Sequence, residues 1–396
     1  MNESSNPNNL NSLNNKDLPK IPEEPSNPVD FSENQEREKN SSQTVWIIVL
    51  AFAILACIGG LVWFIFSGRA DQKIHGDNLA ALTGRPEEQK NERESVDGID
   101  PGVVVTDHNI DLTDYDSNIT LTEPGDYTLS GLLDNSVLIN AEGKVNLTLS
   151  GVTISASSTA AIANQTTNPL TILLSEGKTN TISDGGMSEY DGAIYSKGKL
   201  TIKNAGDADG KLVVSGKQDD GEGIATTDAE IVIESGKIMV SSNDDGVNCG
   251  GDNAGKMTIN GGTLWIKAGG DGLDSNSSIE INDGLLYIMG SSTGGNAAID
   301  SDDGYEINGG TVVALGSDMI ESPLSSSKQK SLSLNLSKTV SEGKNIIIRA
   351  KATGSSRELD SVETDFRTLI YSASDLTAGE YEILVEGEVV GTGTVK

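Results

Sequence analysis

Apolar residues fall into three regimes along the chain. Residues 1–43 are rich in Asn, Ser, Pro and Glu and show no apolar periodicity, so they read as a disordered tail. Val45 to Phe66 then runs 22 residues without a charge. At ~1.5 Å per residue that is roughly 33 Å of helix, enough to cross a hydrocarbon core of ~30 Å, and a single transmembrane helix is expected over residues 44–67. Trp46 at one end and Trp63, Phe64 and Phe66 at the other match the depths that amphipathic rings prefer. Residues 68–100 are charged, contain Pro86 and read as a stalk.

From about Gly102 the texture becomes short β-branched runs punctuated by Gly, Asn and Asp. Ile231-Val232-Ile233, Met257-Thr258-Ile259, Ile279-Glu280-Ile281 and Tyr305-Glu306-Ile307 recur at spacings of 26, 22 and 26 residues. Gly236, Gly262, Gly284 and Gly310 follow them and lead into a second alternating run, as in Thr263-Leu264-Trp265-Ile266. Looser copies stand at Leu170-Thr171-Ile172 and Leu200-Thr201-Ile202. A period of this size without helical pattern predicts an all-β, right-handed parallel β-helix, a solenoid, over residues 101–322. At ~3.3 Å per strand residue, one coil has a perimeter of roughly 70 Å, wide enough to enclose a core. The repeated Gly supplies the φ > 0 corner between strands.

Beyond about Ser322 the pattern changes. Leu332–Leu336, Asn345–Arg349, Thr368–Tyr371 and Tyr381–Val385 read as antiparallel strands with turns at Glu342-Gly343 and Ala378-Gly379. An open coil end exposes core and unpaired backbone, so residues 323–396 are expected to form a small β cap.

A third element of each repeat carries acid. Gln218-Asp219-Asp220-Gly221-Glu222-Gly223-Ile224, Asn243-Asp244-Asp245-Gly246-Val247-Asn248, Gly270-Asp271-Gly272-Leu273-Asp274 and Asn296-Ala297-Ala298-Ile299-Asp300 align on Ile224, Val247, Leu273 and Ile299. Those anchors are 23, 26 and 26 apart, which sets each acidic cluster above the last. Two carboxylates on coils ~4.8 Å apart repel by about 3.5 kcal/mol at an effective dielectric of 20. Solvated Asp-Gly turns are one reading of a single such corner. Their recurrence on consecutive coils favours a hard divalent cation, and Ca²⁺, with six to eight oxygen ligands in loose geometry, suits them best. The expected ligands are Asp219, Asp220, Asp244, Asp245, Asn248, Asp271, Asp274 and Asp300.

Trp265 and Tyr287 lie between the inward pairs Leu264/Ile266 and Leu286/Ile288, so both point outward, one coil apart. A row of flat rings suits the apolar faces of sugars, and cover by the C-terminal segment is the other use for it.

Composition narrows the chemistry. The 396 residues include 28 basic and 59 acidic side chains, a net charge of −31, with 45 Gly and 4% aromatic residues. Such acidity repels phosphate backbones and argues against nucleic-acid partners. Two histidines (His75, His108) and two cysteines (Cys57, Cys249) are too few for a Cys/His zinc site or a disulfide scaffold. The long polar segment before Val45 argues against a cleaved signal peptide, and Ile54-Leu55-Ala56-Cys57 resembles a lipidation box only faintly.

Several segments together resemble the bacterial calcium-binding β-helix carbohydrate-binding proteins that are related to family 9 pectate lyases. They are Pro124–Gly131, Leu147–Ile154, Glu176–Gly185 and the repeated Asp-Gly-[Ile/Val/Leu] corners, within about Glu123 to Lys396. The resemblance implies recognition of cellulose or pectic polymers. It also implies a calcium site on Asp-Asp-Gly-x-Asp, matched by Asp244, Asp245 and Asn248, with Asp220 or Asp271 as neighbour and Asp271/Asp274 as an incomplete second copy.

Eliminative cleavage of a uronan needs calcium and a Lys or Arg base. No Arg occurs between Arg93 and Arg349, which leaves Lys256 and Lys267 as candidates, each equally a solubilising surface lysine. The expected function is therefore calcium-dependent, non-catalytic polysaccharide binding. A polysaccharide lyase and a structural adhesin that binds a protein are the alternatives. Arg37 and Lys39 on one side of the apolar run and Arg69, Lys73 and Arg85 on the other leave orientation open by local charge. Partly amide ligation fits the ~10⁻³ M calcium outside cells, so the expected location is a single-pass membrane protein with its C-terminal domain extracellular and its tail cytoplasmic.

Overall fold

Strict two-residue alternation lets a strand bury one row of side chains, and a coil of three such strands encloses a core on all sides. The computed structural model describes residues 99–157, 159–184, 190–217, 221–359 and 362–396. The expected tail, membrane helix and nearly all of the stalk lie outside these residues, as do Asp219 and Asp220. Among the described residues, no helix is long and apolar enough to cross a membrane.

The repeats wind into a parallel solenoid with three faces. The first face stacks eight strands, from Val103–Val105 through Ile162–Asn164, Ile194–Ser196, Ile224–Thr227 and Val247–Gly250 to Leu273–Ser275. The second includes Leu170–Leu174, Leu200–Asn204, Ile231–Ile233, Met257–Ile259, Ile279–Ile281 and Tyr305–Ile307, all in parallel register. The third includes Thr179–Asp184, Lys211–Gly216, Lys237–Ser242, Thr263–Lys267, Leu285–Met289 and Thr311–Gly316. Ile224, Val247 and Leu273 pair directly across the first face, and an isolated bridge joins Leu273 to Ile299. The alignment on those four anchors is thus the physical register.

Inward rows form one continuous core from Val105 to Ile370, with Leu264, Ile266, Leu286 and Ile288 all at most 1% exposed. Gly262 shows why the corner between the second and third faces is glycine. Its φ is +93°, and a Cβ there would stand 2.8 Å from the Gly236 carbonyl oxygen of the neighbouring coil. An amide ladder reinforces the same corner: Asn308 Nδ2 donates to Asn282 Oδ1 at 3.1 Å, and Asn282 Nδ2 to Asn260 Oδ1 at 2.9 Å.

The C-terminal strands are antiparallel. Phe366–Ser372 pairs with Thr311–Gly316 of the last coil on one side and with Ser331–Val340 on the other. A four-stranded sheet, Ser356–Leu359, Ile346–Ala350, Gly379–Val385 and Glu388–Val395 in spatial order, completes this end. Ser356–Leu359 and Glu388–Val395 add two strands to the four read from the sequence. The unpaired edge of the third face is therefore closed by a strand running the other way, which limits edge-to-edge association.

Candidate metal centre

Consecutive coils pass from the third face to the first through corners rich in acid at residues 243–246 and 268–272, and strand alternation then sorts the side chains into columns. The residue after each inward anchor faces out, giving the column Ala225, Asn248, Asp274, Asp300. The residue two before each anchor gives Glu222, Asp245, Asp271, Ala297. Backbone bonds knit this second column: the Asp271 N–H donates to Asp245 Oδ1 at 2.6 Å, and the Ala297 N–H donates to Asp271 Oδ1. Each carboxylate is thus held by the next coil.

Asp271, Asp274 and Asp300 place one carboxylate oxygen each within 4.8 Å of one another. Asp271 is buried, and the other two are half-buried. The segment leading to the cap approaches here, where Glu321 Oε2 accepts from the Ser301 N–H at 2.9 Å. One coil away, Asn248 Nδ2 donates to Glu222 Oε1 and, at 3.3 Å, to Asp245 Oδ2. Asn248 Oδ1 is buried without a donor. Asp244 and Asp245 both project over Gly270, where a Cβ would stand 2.3 and 2.4 Å from their Oδ1 atoms. Gly270 thereby makes the space that the two carboxylates occupy.

Burial is the main electrostatic effect, because it penalises the charged form more than the backbone donors relieve it. It pushes the Asp245 carboxyl up to about 8, Asp271 to about 7 and Asp274 to about 6, with neighbouring carboxylates adding to each rise. Glu222 goes up to about 10, through burial first and then Asp191 and Asp245. Glu321 is raised by burial and by Asp300.

The structure places Asp244, Asp245, Asn248, Asp271, Asp274 and Asp300 on neighbouring corners of successive coils. The tightest trio is Asp271, Asp274 and Asp300, around the corner whose motif is incomplete. Two acids were missed. Glu222 occupies the same column as Asp245 and Asp271, two residues before its anchor, so the alignment already carried its signal. Glu321 comes from the segment leading to the cap, and nothing in the repeat marks it.

The aromatic pair needs correction. Trp265 and Tyr287 are in register on the outside of the third face, yet both are half-buried and packed against the apolar cluster of the cap, beside Leu315, Leu332 and Leu369. The exposed row is replaced by its alternative, cover by the C-terminal segment, because the cap needs an apolar wall to close against. Lys256 forms an ion pair with Glu280 on the second face. Lys267 is half-buried, aligned with Ser241 and Met289 on the third.

Residues 115–384 match the family described as carbohydrate-binding domain-containing protein. The chain belongs to that family. A carbohydrate-binding domain-containing protein from Acetivibrio thermocellus is 30% identical over 212 residues, which is 44% of this chain and 72% of the relative. A solved structure, a gadolinium derivative described as a polysaccharide lyase-like protein from C. thermocellum, has 26% identity and a TM-score of 0.36, and covers 49% of this chain and 83% of the other.

Within this carbohydrate-binding domain, the donor set fits a hard divalent cation. Every candidate ligand is oxygen, an amide oxygen is buried without a donor, and Gly270 leaves room where any other residue would intrude. Asp271, Asp274 and Asp300 form one group, and Glu222, Asp245 and Asn248 the next. Asn248 ties the two together in the outer column, directly beside Asp274.

Proposed function

We propose that this protein binds polysaccharide in a calcium-dependent, non-catalytic manner at the cell surface, anchored by residues 44–67 as a single transmembrane helix. Family membership supports the carbohydrate partner. The observation that carries the calcium dependence is the pair of stacked acidic columns, in which burial raises the Asp245, Asp271 and Asp274 carboxyls and a cation would displace the protons they retain. Calcium held there would supply positive charge at an otherwise strongly negative surface and so attract sugar hydroxyl or carboxylate oxygens. Asp245 and Asp271, fixed by backbone donors from the next coil, would hold the ion in place.

Binding is favoured over cleavage by the lysines. Lys256 is exposed and already pairs with Glu280, whose carboxyl that bond holds below its ordinary value. Retention of the full chain on insoluble cellulose and on pectic polymer, with calcium or with EGTA, tests the proposal. Calcium-dependent retention without new absorbance at ~235 nm from polygalacturonate supports binding. Growth of that absorbance makes the protein a lyase, and absence of all retention leaves a structural adhesin.

A further inference from the structure

At the corner between the first and second faces, successive coils differ in length. Residues 165–169 and 251–256 make long corners, whereas 197–199 and 228–230 between them make short ones. Strands on both sides hold register throughout, as in Asn164, Ser196, Thr226 and Cys249 on one side and Leu170, Leu200, Ile231 and Met257 on the other. Since the faces cannot slip, the shortfall appears as a surface trough of about 590 Å³. That volume lies within the range of small-ligand sites, roughly 300–1,000 Å³.

The trough is lined by Tyr195, Lys197, Lys199, Thr227, Asp228 and Glu230. The Tyr195 hydroxyl donates to Thr227 Oγ1 at 3.0 Å, and its ring stacks on Tyr190 with centroids 4.8 Å apart, which fixes this wall. Lys197 Nζ stands 5.3 Å from the centroid of the Tyr190 ring. Lys199 Nζ lies 2.6 Å from Glu230 Oε2. Asp228 is held in the left-handed region at φ +57°, with Oδ1 accepting from the Asn253 N–H at 2.8 Å. A non-glycine residue kept in that conformation on an exposed corner marks a position the surrounding structure over-determines.

We infer that this trough is a second carbohydrate site, which takes a neutral, hydroxyl-rich saccharide chain without any metal. Each sugar hydroxyl both donates and accepts, and the trough is lined by donors (Lys197, Lys199) and acceptors (Asp228, Glu230) together with a bonded tyrosine–threonine hydroxyl pair. Two ammonium groups and two carboxylates line the trough, so it exerts no net pull on a polyanion, and the chain's charge of −31 repels one. The inference rests on the carbohydrate-binding reading above but not on calcium.

Calorimetric titration of the full chain with cellotetraose, xylotetraose and tetragalacturonate, each in calcium and in EGTA, provides the test. One of the neutral tetrasaccharides is expected to bind equally in both buffers. The double variant Asp228→Asn/Glu230→Gln keeps the left-handed corner and the Asn253 bond, and should weaken that binding about ten- to a hundredfold at an unchanged melting temperature. Lys197→Gln should weaken it in the same direction. Neutral-saccharide binding that the variants leave unchanged, or binding that appears only with calcium, overturns the trough and leaves the carbohydrate reading standing. Failure of all three saccharides in both buffers overturns both.

Discussion

Asp245 and Asp271 occupy equivalent corners of adjacent coils, and the N–H of Asp271 donates to Asp245 Oδ1 at 2.6 Å. A bond from the backbone of one coil to the carboxylate of the preceding one therefore fixes that carboxylate directly beside the next. Such a ladder carries like charges closer than they would settle in solution, and protons or a cation must compensate.

Without metal, stability should fall as pH rises. Asp274, Asp271 and Asp245 are raised to about 6, 7 and 8 from 3.8. Between about pH 4 and pH 8 the folded chain therefore holds protons that the unfolded chain has released, and the slope of unfolding free energy with pH is negative. In EGTA the melting temperature should drop between about pH 5 and pH 8, and saturating calcium should flatten or reverse the drop. A metal-free chain equally stable at both ends would show that these carboxyls are not held protonated.

Asn248→Asp should tighten calcium and weaken the metal-free fold. The change adds a carboxylate beside Glu222, Asp245 and Asp274, where burial already disfavours charge. Competition against a chromophoric chelator should show affinity up by about tenfold, while EGTA melting shifts downward. Weaker calcium binding by this variant would place the ion away from Asn248.

Gly262→Ala should cost about 1–3 kcal/mol in chemical unfolding. Its φ of +93° and the 2.8 Å approach of the Gly236 carbonyl leave no place for a methyl group. An unfolding midpoint identical to the parent's would mean that the corner relaxes freely.

Trp265→Ala should destabilise by about 2–4 kcal/mol, because the ring packs against the apolar cluster that joins the last coils to the cap. Saccharide retention of the folded variant should match the parent. Retention lost from a variant with unchanged stability would return Trp265 to the ligand surface.

The solenoid was legible because two periodicities coincide. Alternation tells which side chains enter the coil, and the spacing of Ile231, Met257, Ile279 and Tyr305 tells which lie above one another, a register the strand pairing matches residue for residue. Column membership follows from those facts alone, so Asp274 and Asp300 could be placed together before any coordinates. Glu222 was equally accessible by the same count from Ile224.

What alternation and spacing determine is local and repetitive: strand, corner, inward or outward, and the neighbour one coil away. What required tertiary structure is contact between parts that do not repeat. Trp265 and Tyr287 point outward from the coil, but only the docking of the C-terminal strands decides that this outside is half-buried. Glu321 reaches Ser301 beside the acidic trio from a segment outside the periodic pattern. The protonation of Asp245 and Asp271 depends on how much water the stacked corners exclude, a collective property of the fold that residue identity along one chain does not carry.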